Sequence, residues 1–478
     1  MDICQIAEKC GGCTYQGTAY EQQLKEKEGA VRGLLSSAGF DPSICQSIEP
    51  CPDVYRYRNK MDYTFGDEVK DGPLQLGMHR KKQFMSVVNA DVCQIVPEDF
   101  NRLLDATLQF CREKGYTHYH RKRHEGLLRQ LILRRGVRTK QLLVNIVTSE
   151  GPFDEAGYIN LVLSLSLDHQ ICGILHTVDE SLSDAVKPSE IKVLWGSGHY
   201  EEVVLDLKFD VGPFSFFQTN VPAAERLYRD AISLIDGIEG KTVYDLYCGT
   251  GTITQAMATR AGQVYGVEIV EEAVEAARAS AARNGLSNCE FLCGDVLKVL
   301  DEMPAEPDVI VVDPPRAGIH PKAMTKICSY GVSQIVYISC NPKTLVQNLQ
   351  TVVEAGYEIS YLKPYDNFPM TSHIETVCLL SKLSGAKNHI TVKIDMEEMD
   401  VSAAESKATY QEIQEWVQGK YGFHVTNLNI AQVKRKHGII ERENYNKAKS
   451  LDTRQPVCPE EKERAIEEAM RYFQMISS

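Results

Sequence analysis

Cys340 lies in Ile338-Ser-Cys-Asn-Pro342, 27 residues after Asp313 and 35 residues before Glu375. Asp313 opens the run Asp313-Pro-Pro-Arg316, and Glu375 sits in Thr371-Ser-His-Ile-Glu-Thr376. One thiol and one carboxylate, downstream of a glycine-rich turn, suit covalent chemistry on a pyrimidine ring. Carbon 5 of uracil is a poor nucleophile. A thiolate adding to carbon 6 turns the ring into an enolate that can attack a methyl sulfonium, and a base must then remove the carbon 5 proton so that the thiol can leave. Such chemistry needs one cysteine and one general base, for which Cys340 and Glu375 are the candidates, with Asp366 and His373 as weaker bases. A free thiol with a pKa of about 8.5 is only a few per cent ionised at neutral pH, so activation is expected. An isolated buried cysteine is ordinarily an inert core residue; the place after Asp313-Pro-Pro at a predicted strand end argues otherwise. Methylases of exocyclic amino groups usually carry an aromatic residue after the two prolines, where Arg316 stands here.

Upstream, Asp245-Leu-Tyr-Cys-Gly-Thr-Gly251 follows a predicted strand and opens a helix. Its glycines let the backbone turn tightly against a ligand. Glu268, 17 residues after Gly251, ends the next strand, where an acid can bond ribose hydroxyls. A dinucleotide fingerprint needs a further glycine at Thr254, so S-adenosylmethionine, which has no phosphate, is the favoured cofactor. Asp295, after the third strand, is placed to reach the adenine. Near the N-terminus, Cys4-x5-Cys10-Gly-Gly-Cys13 puts three soft ligands within ten residues, and a fourth must come from elsewhere. A metal cluster or a zinc ion fits that spacing.

The elements that must position these groups form a pattern. From Thr242 to about Ser384, short apolar runs alternate with helical stretches, as a doubly wound sheet requires. Strands are predicted at Val243–Tyr247, Gln263–Glu268, Pro307–Asp313 and Gln334–Ser339, with a closing pair at Tyr357–Pro364 and Ile374–Ser381 and a helix at Glu271–Asn284. From about Cys45 to Gly212, runs at Leu142–Val147, Gly173–Thr177 and Val203–Phe209 predict a mixed, mainly antiparallel domain, joined onward by a helix near Pro222–Ile235. After Gly385 an acidic stretch, Ile394–Glu405, precedes helices around Tyr410–Lys420 and Glu460–Met475 that flank Val433-Lys-Arg-Lys-His437. There, a structural add-on is favoured over a nucleic-acid-binding module.

A chain of 478 residues is too long for one core. Its 15 cysteines, an odd number spread widely, are expected to be free, metal-bound or catalytic in a reducing compartment. No signal peptide or membrane span is expected, and a cytoplasmic location follows. The net charge of −13 at first argues against nucleic acid, but its distribution does not. Tyr55–Lys140 holds 18 Lys and Arg against 10 Asp and Glu, or +8, which leaves −21 on the rest. The clusters at Arg56–Lys60, Arg80–Lys82, Arg121–His124 and Arg134–Arg135 make that segment a candidate phosphate-binding surface.

Phe214-Ser-Phe-Phe-Gln-Thr-Asn220, Asp245–Gly251, Asp313–Arg316, Ser339–Pro342 and Asp366-Asn-Phe-Pro-Met-Thr-Ser-His-Ile-Glu375, in that order, resemble the RNA uracil-5-methyltransferase family across roughly residues 1–384. The resemblance implies an α/β fold: a Rossmann-like class I methyltransferase domain with a doubly wound mixed sheet at 213–384, an N-terminal α+β iron–sulfur and RNA-binding domain at 1–212, and a small C-terminal appended domain at 385–478. It implies Cys340 as nucleophile, Glu375 as base, and Gln218, Tyr247, Glu268 and Asp313 lining the cofactor and base pocket. Thr252 stands where some members carry a polar amide. Cys93 matches the family's distant fourth cysteine, with Cys45 and Cys51 as rivals, and implies a [4Fe-4S] cluster on Cys4, Cys10, Cys13 and Cys93, with zinc as runner-up. The implied partner of this monomer is structured RNA, ribosomal RNA of the large subunit ahead of transfer RNA. A non-catalytic RNA-binding protein of the same fold is the competing reading, against which intact Cys340 and Glu375 speak.

Overall fold

The computed structural model describes residues 3–182, 186–383, 410–437, 458–473 and 475, and the chain divides into two compact units, Met1–Ala386 and Lys387–Ser478. In the first unit α1 (Tyr20–Ser37) precedes a seven-stranded sheet. Its strands are β1 (Lys60–Asp67), β2 (Leu74–Arg80), β3 (Gln83–Asn89), β4 (Leu128–Arg135), β5 (Gln141–Thr148), β6 (Gln170–Val178) and β7 (Glu190–Gly196), ordered β3-β2-β1-β4-β5-β6-β7. Only β5 and β6 run parallel, and α3 (Glu155–Ser164) makes that crossover. β5 is covered on both faces, as its run Leu142-Leu-Val144 and the Ile146-Val147 pair after Asn145 require. On α2 (Glu98–Glu113), Phe100, Leu103, Leu104 and Leu108 pack with Tyr63, Leu131 and Val144 of the sheet. The predicted run Val203–Phe209 is two strands rather than one, β8 (Tyr200–Val204) and β9 (Leu207–Val211). Leu205 and Asp206 both take positive φ between them, the geometry of a tight hairpin turn, which Asp tolerates but Leu205 does not advertise.

After α4 (Val221–Ser233) comes the second seven-stranded sheet. Its elements are β10 (Thr242–Leu246), α5 (Thr252–Ala258), β11 (Gln263–Glu268), α6 (Glu271–Arg283), β12 (Cys289–Cys293), α7 (Val296–Val299), β13 (Val309–Val312), α8 (Pro321–Ser329), β14 (Gln334–Ser339), α9 (Pro342–Glu354), β15 (Tyr357–Tyr365) and β16 (Glu375–Lys382). The order β12-β11-β10-β13-β14-β16-β15 is parallel except for β16, which runs antiparallel to both of its neighbours, β14 and β15. The chain moves outward from β10 to β12 and then returns to β13, so the crevice between β10 and β13 is the switch point where open sheets take ligands.

The residues of α1 and the turn after it belong to this second layer, although they lie within the expected 1–212 segment. Val31, Leu35 and Cys45 share a core with Ile310, Leu345 and Leu362. The Gln46 and Glu49 amides extend the sheet edge by donating to Leu362 O and Pro364 O at 2.8 and 2.9 Å.

The second unit contains α10 (Tyr410–Tyr421), α11 (Asn427–Lys436) and α12 (Glu460–Tyr472) around Ile413, Val417, Val433, Ile466 and Met470. Its basic run is engaged from within: Lys434 is buried, Lys436 pairs with Glu463, and His437 meets Glu467 at 2.9 Å. The acidic stretch Ile394–Glu405 lies outside the described residues. No helix among the described residues is long and apolar enough to cross a membrane.

Candidate active site

The predicted site residues leave the second sheet at one edge, the carboxyl ends of its parallel strands. Tyr247 follows β10, Glu268 ends β11, Asp295 follows β12, Asp313 follows β13 and Cys340 follows β14. Because β16 is antiparallel, its first residue, Glu375, comes to that same edge. Ser339 is paired with Thr376, whose hydroxyl donates to Ser339 O at 3.1 Å, so the residues just outside this pair, Cys340 and Glu375, are held side by side.

The Ser-Cys-Asn-Pro run has a local logic. Asn341 caps α9 by accepting from Lys343 N at 3.2 Å, and Pro342 takes the first helical position, where its missing N–H costs nothing. Asn341 Nδ2 also donates to Arg316 O at 2.9 Å, which ties the cysteine turn to the Asp-Pro-Pro-Arg turn. Arg316 Nη2 in turn lies 2.6 Å from His373 Nδ1.

Burial, then the nearby charges of Glu375 and Asp313, push the Cys340 thiol up to about 11, against the pull of the Arg316 guanidinium. Burial pushes Glu375 up to about 7, again opposed by Arg316. Asp313 is held well above the usual carboxylate range by burial and then by Glu375 and Asp245. Glu375, Asp313 and the Cys340 thiol thus share one water-poor corner with the Arg316 guanidinium, and burial favours the protonated form of all three, an arrangement that suits proton transfer.

The cofactor side is built by backbone. Tyr247 takes φ of 68°, with its amide donating to Val267 O at 2.9 Å. Gly251 caps α5 at φ of 74°, and a β-carbon there would lie 2.5 Å from the Phe291 ring. Thr252 opens α5 and is buried. Glu268 accepts from Gly249 N at 3.0 Å and from the Ile269 and Val270 amides, which clamps the glycine turn. Asp295 caps α7 through Leu297 N at 3.0 Å. Thr254, the residue in place of a third glycine, donates to buried Asp245 at 2.5 Å, which gives that side chain a local reason to be there.

Sequence reasoning missed two supports. Tyr228 of α4 is buried, its hydroxyl bonded to the Gln218 side chain and facing the charges of Asp313, Glu375 and Asp245. Lys27 of α1 is fully buried with Asp366, Nζ 2.5 Å from Oδ1 and 3.1 Å from Phe368 O. One turn earlier, Gln23 Oε1 accepts from Met370 N at 3.0 Å. The loop leading to Glu375 is therefore gripped by α1. The Phe214–Asn220 segment is gripped from the other sheet, by Asn59 Nδ2 on Gln218 O at 3.1 Å and Arg134 Nη2 on Ser215 O at 2.5 Å. This corrects one expectation: Arg134 is buried and does not face phosphate, while half-buried Arg135 donates to Arg56 O at 2.7 Å.

Cys4, Cys10, Cys13 and Cys93 are partly buried and lie within electrostatic reach of one another. Burial first, and then the charges of Cys10 and Cys4, push Cys13 up to about 11. Burial and then, more weakly, Cys13 and Cys10 push Cys93 up to about 12, with the Ile95 amide opposing. Cys45 and Cys51, the rival fourth ligands, are buried elsewhere, Cys45 in the core of the second sheet and Cys51 against Asn220. Among the described residues, no three His, Cys, Asp or Glu side chains are close enough to share one metal ion.

Sheet order, glycine turn and the acids at successive strand ends define a class I methyltransferase fold, and residues 243–327 match the methyltransferase domain family. Residues 296–383 match the family described as tRNA (Uracil-5-)-methyltransferase. An uncharacterized RNA methyltransferase of Clostridium tetani is 46% identical over 375 residues, 78% of this chain and 82% of the relative. One from Caldanaerobacter subterraneus subsp. tengcongensis is 45% identical over 78% of this chain and 83% of its own. The crystal structure of the Pyrococcus abyssi tRNA (uracil-54, C5)-methyltransferase with S-adenosyl-L-homocysteine is 30% identical, with a TM-score of 0.65 over 78% of this chain and 86% of that one. The chain belongs to the RNA uracil-5-methyltransferase family, and it is an RNA methyltransferase enzyme.

Proposed function

We propose that the chain methylates carbon 5 of a uridine in structured RNA, using S-adenosylmethionine, through a covalent bond from Cys340 to carbon 6. The observation that carries this reading is the pairing of Ser339 with Thr376, which sets Cys340 beside Glu375. S-adenosylmethionine supplies the methyl group as an electrophile; Tyr247, Glu268, Asp295, Thr252, Gln218 and Asp313 are the residues proposed to line its place and that of the base. The Cys340 thiolate would form the S–C6 bond, and the C5–C6 π electrons would move to carbon 5, which would take the methyl group as the methyl–sulfonium bond breaks and S-adenosylhomocysteine leaves. Glu375 then accepts the carbon 5 proton, the double bond re-forms and the S–C6 bond breaks, returning the thiolate. The target base must leave its stack to reach this corner.

Cys340→Ala is expected to retain cofactor binding and lose all methylation; measurable turnover would remove Cys340 as nucleophile. Glu375→Gln is expected to accumulate a covalent RNA–protein adduct, seen as a shifted band in a denaturing gel, because addition proceeds and elimination stalls.

Large-subunit ribosomal RNA is the proposed substrate. Transfer RNA is kept as a second reading because the matching family description and the Pyrococcus relative both name it. Incubation of the protein with labelled methyl donor and both unmodified RNAs, followed by mapping of the labelled nucleotide, separates the two. We also propose that Cys4, Cys10, Cys13 and Cys93 hold a [4Fe-4S] cluster. A [4Fe-4S] cluster takes one thiolate on each of its four irons, and what supports the assignment is that Cys10 and Cys13 lie within electrostatic reach of both Cys4 and Cys93. Iron and sulfide assays on anaerobically purified protein are expected to return about four of each per chain; stoichiometric zinc would replace the cluster.

A further inference from the structure

Two basic clusters some forty residues apart in sequence meet at the tip of the β2–β3 hairpin. His79 pairs with Val87 and Arg80 with Gln83, so residues 84–86 bulge out of the ladder. The bulge drives Phe84 and Met85 into solvent, 58% and 50% exposed. Bulges of this kind re-aim side chains. His79 stacks on Phe84 with centroids 4.7 Å apart and planes 21° apart, and the Arg121 guanidinium lies over the same ring at 4.6 Å. Exposed Lys81 and Lys82 form the turn beside this stack, and exposed Lys122 and Arg123 follow Arg121. Two of the surrounding charges are partly offset, since Asp71 lies 3.7 Å from Arg123 and Glu68 lies 2.8 Å from Lys9.

The tip is stitched to the cysteine loop. Gly11 N donates to His79 O at 2.9 Å, Lys81 N to Lys9 O at 2.8 Å and Lys81 Nζ to Ala7 O at 2.6 Å. Three residues after Gly11, the Thr14 and Tyr15 amides both donate to Met370 O, at 2.7 and 3.0 Å, on the loop that ends in Glu375. Three residues span at most ~11 Å of chain. The stack therefore stands one short segment away from the catalytic loop.

Building on the RNA-modifying reading above, we propose that the His79–Phe84–Arg121 stack is a second RNA contact, a platform that takes an unpaired base near the target uridine while Lys82 and Lys122 face its phosphates. Aromatic rings and guanidinium planes both accept unstacked bases, and a stack ringed by cations on an otherwise acidic chain is matched in charge to a polyanion. On this reading the cysteine loop sets the distance between platform and catalytic loop.

The test is a fluorescence anisotropy titration of the full chain with a labelled single-stranded polyuridine oligomer. Phe84→Ala is expected to bind about ten-fold more weakly, while Phe84→Trp stays near wild type, because base stacking on a ring is sequence-tolerant. Lys82→Ala with Lys122→Ala is expected to reduce the salt slope by about 1.4. S-adenosylhomocysteine affinity should be unchanged in all three variants. Equal binding by Phe84→Ala and wild type would overturn the platform, as would an equal loss in Phe84→Ala and Phe84→Trp. The titration reads binding alone, so it remains decisive if methylation fails, and a failed platform leaves Cys340 and Glu375 untouched.

Discussion

Cys340 is hardest to ionise when its acidic neighbours are charged, and that gives the site a pH signature. Burial is the largest influence on the thiol, and the Glu375 carboxylate is the next. Glu375 itself titrates at about 7, so its charge appears only as the pH rises through that value. Below pH 6 the wild type and Glu375→Gln should present the same neutral neighbour to Cys340. Above pH 8 the wild type alone carries the opposing charge, so its thiolate fraction is lower. Peptide-resolved alkylation with iodoacetamide is therefore expected to be equal in the two proteins at pH 6 and about two- to ten-fold faster in Glu375→Gln at pH 8.5, given that one pKa unit is a factor of ten. A constant ratio across that range would mean that Glu375 does not feel or face the thiol. Arg316→Met works in the opposite sense, because its guanidinium lowers both groups. Alkylation of Cys340 should slow in that variant at every pH where the thiol is mostly protonated.

At the scale of elements, the loop from Asp366 to Glu375 is held from outside its own strands, by Lys27 and Gln23 of α1 among others. Lys27 and Asp366 are both 0% exposed, so removing one partner strands a buried charge. Lys27→Met is expected to cost about 3–5 kcal/mol, whereas Lys27→Met with Asp366→Leu should recover most of that loss. Urea unfolding of the single and double variants measures both, and a single-variant loss below about 1 kcal/mol would show the pair to be solvated. The activity of the double variant separates stability from positioning: restored unfolding with depressed turnover means that the pair aims the loop. None of this was legible in the sequence. Gln23 and Lys27 are four apart on a helix with little apolar character, which reads as a solvated face. Arg134 reads as a surface cation because charge says nothing about depth, and Tyr228 carries no mark that separates it from any aromatic on an amphipathic helix. The chemistry at the strand ends was legible for a physical reason. A parallel sheet buried on both faces needs continuous apolar runs such as Val309–Val312, and such runs point to their own carboxyl ends, where Asp313 and Cys340 follow. Strand pairing was harder, since only the β14–β16 register brings Glu375 back across 35 residues.

For the whole molecule, the open question is whether the appended unit contributes to RNA binding. Its core gathers Ile413, Val433, Ile466 and Met470, whereas in the first unit one cluster joins Leu143 and Leu175 of the first sheet to Val243 and Val309 of the second. Two residues of the basic run that suggested nucleic acid are met by acids of α12, Lys436 by Glu463 and His437 by Glu467, and Lys420 of α10 is met by Glu468. A cation already paired releases few counterions on binding a phosphate, so it adds little to affinity or salt dependence. The basic surface of the first unit, by contrast, projects from the hairpin tip next to the cysteine loop. A chain ending at Ala386 is therefore expected to keep its turnover and its S-adenosylhomocysteine affinity. Its KM for RNA should change by less than about three-fold, with a salt slope within about one unit of the full chain. Steady-state methylation of the same RNA at two salt concentrations makes the comparison. A KM raised ten-fold or more, together with a shallower slope, would make residues 387–478 an RNA-binding module whose cations exchange their α12 partners for phosphates.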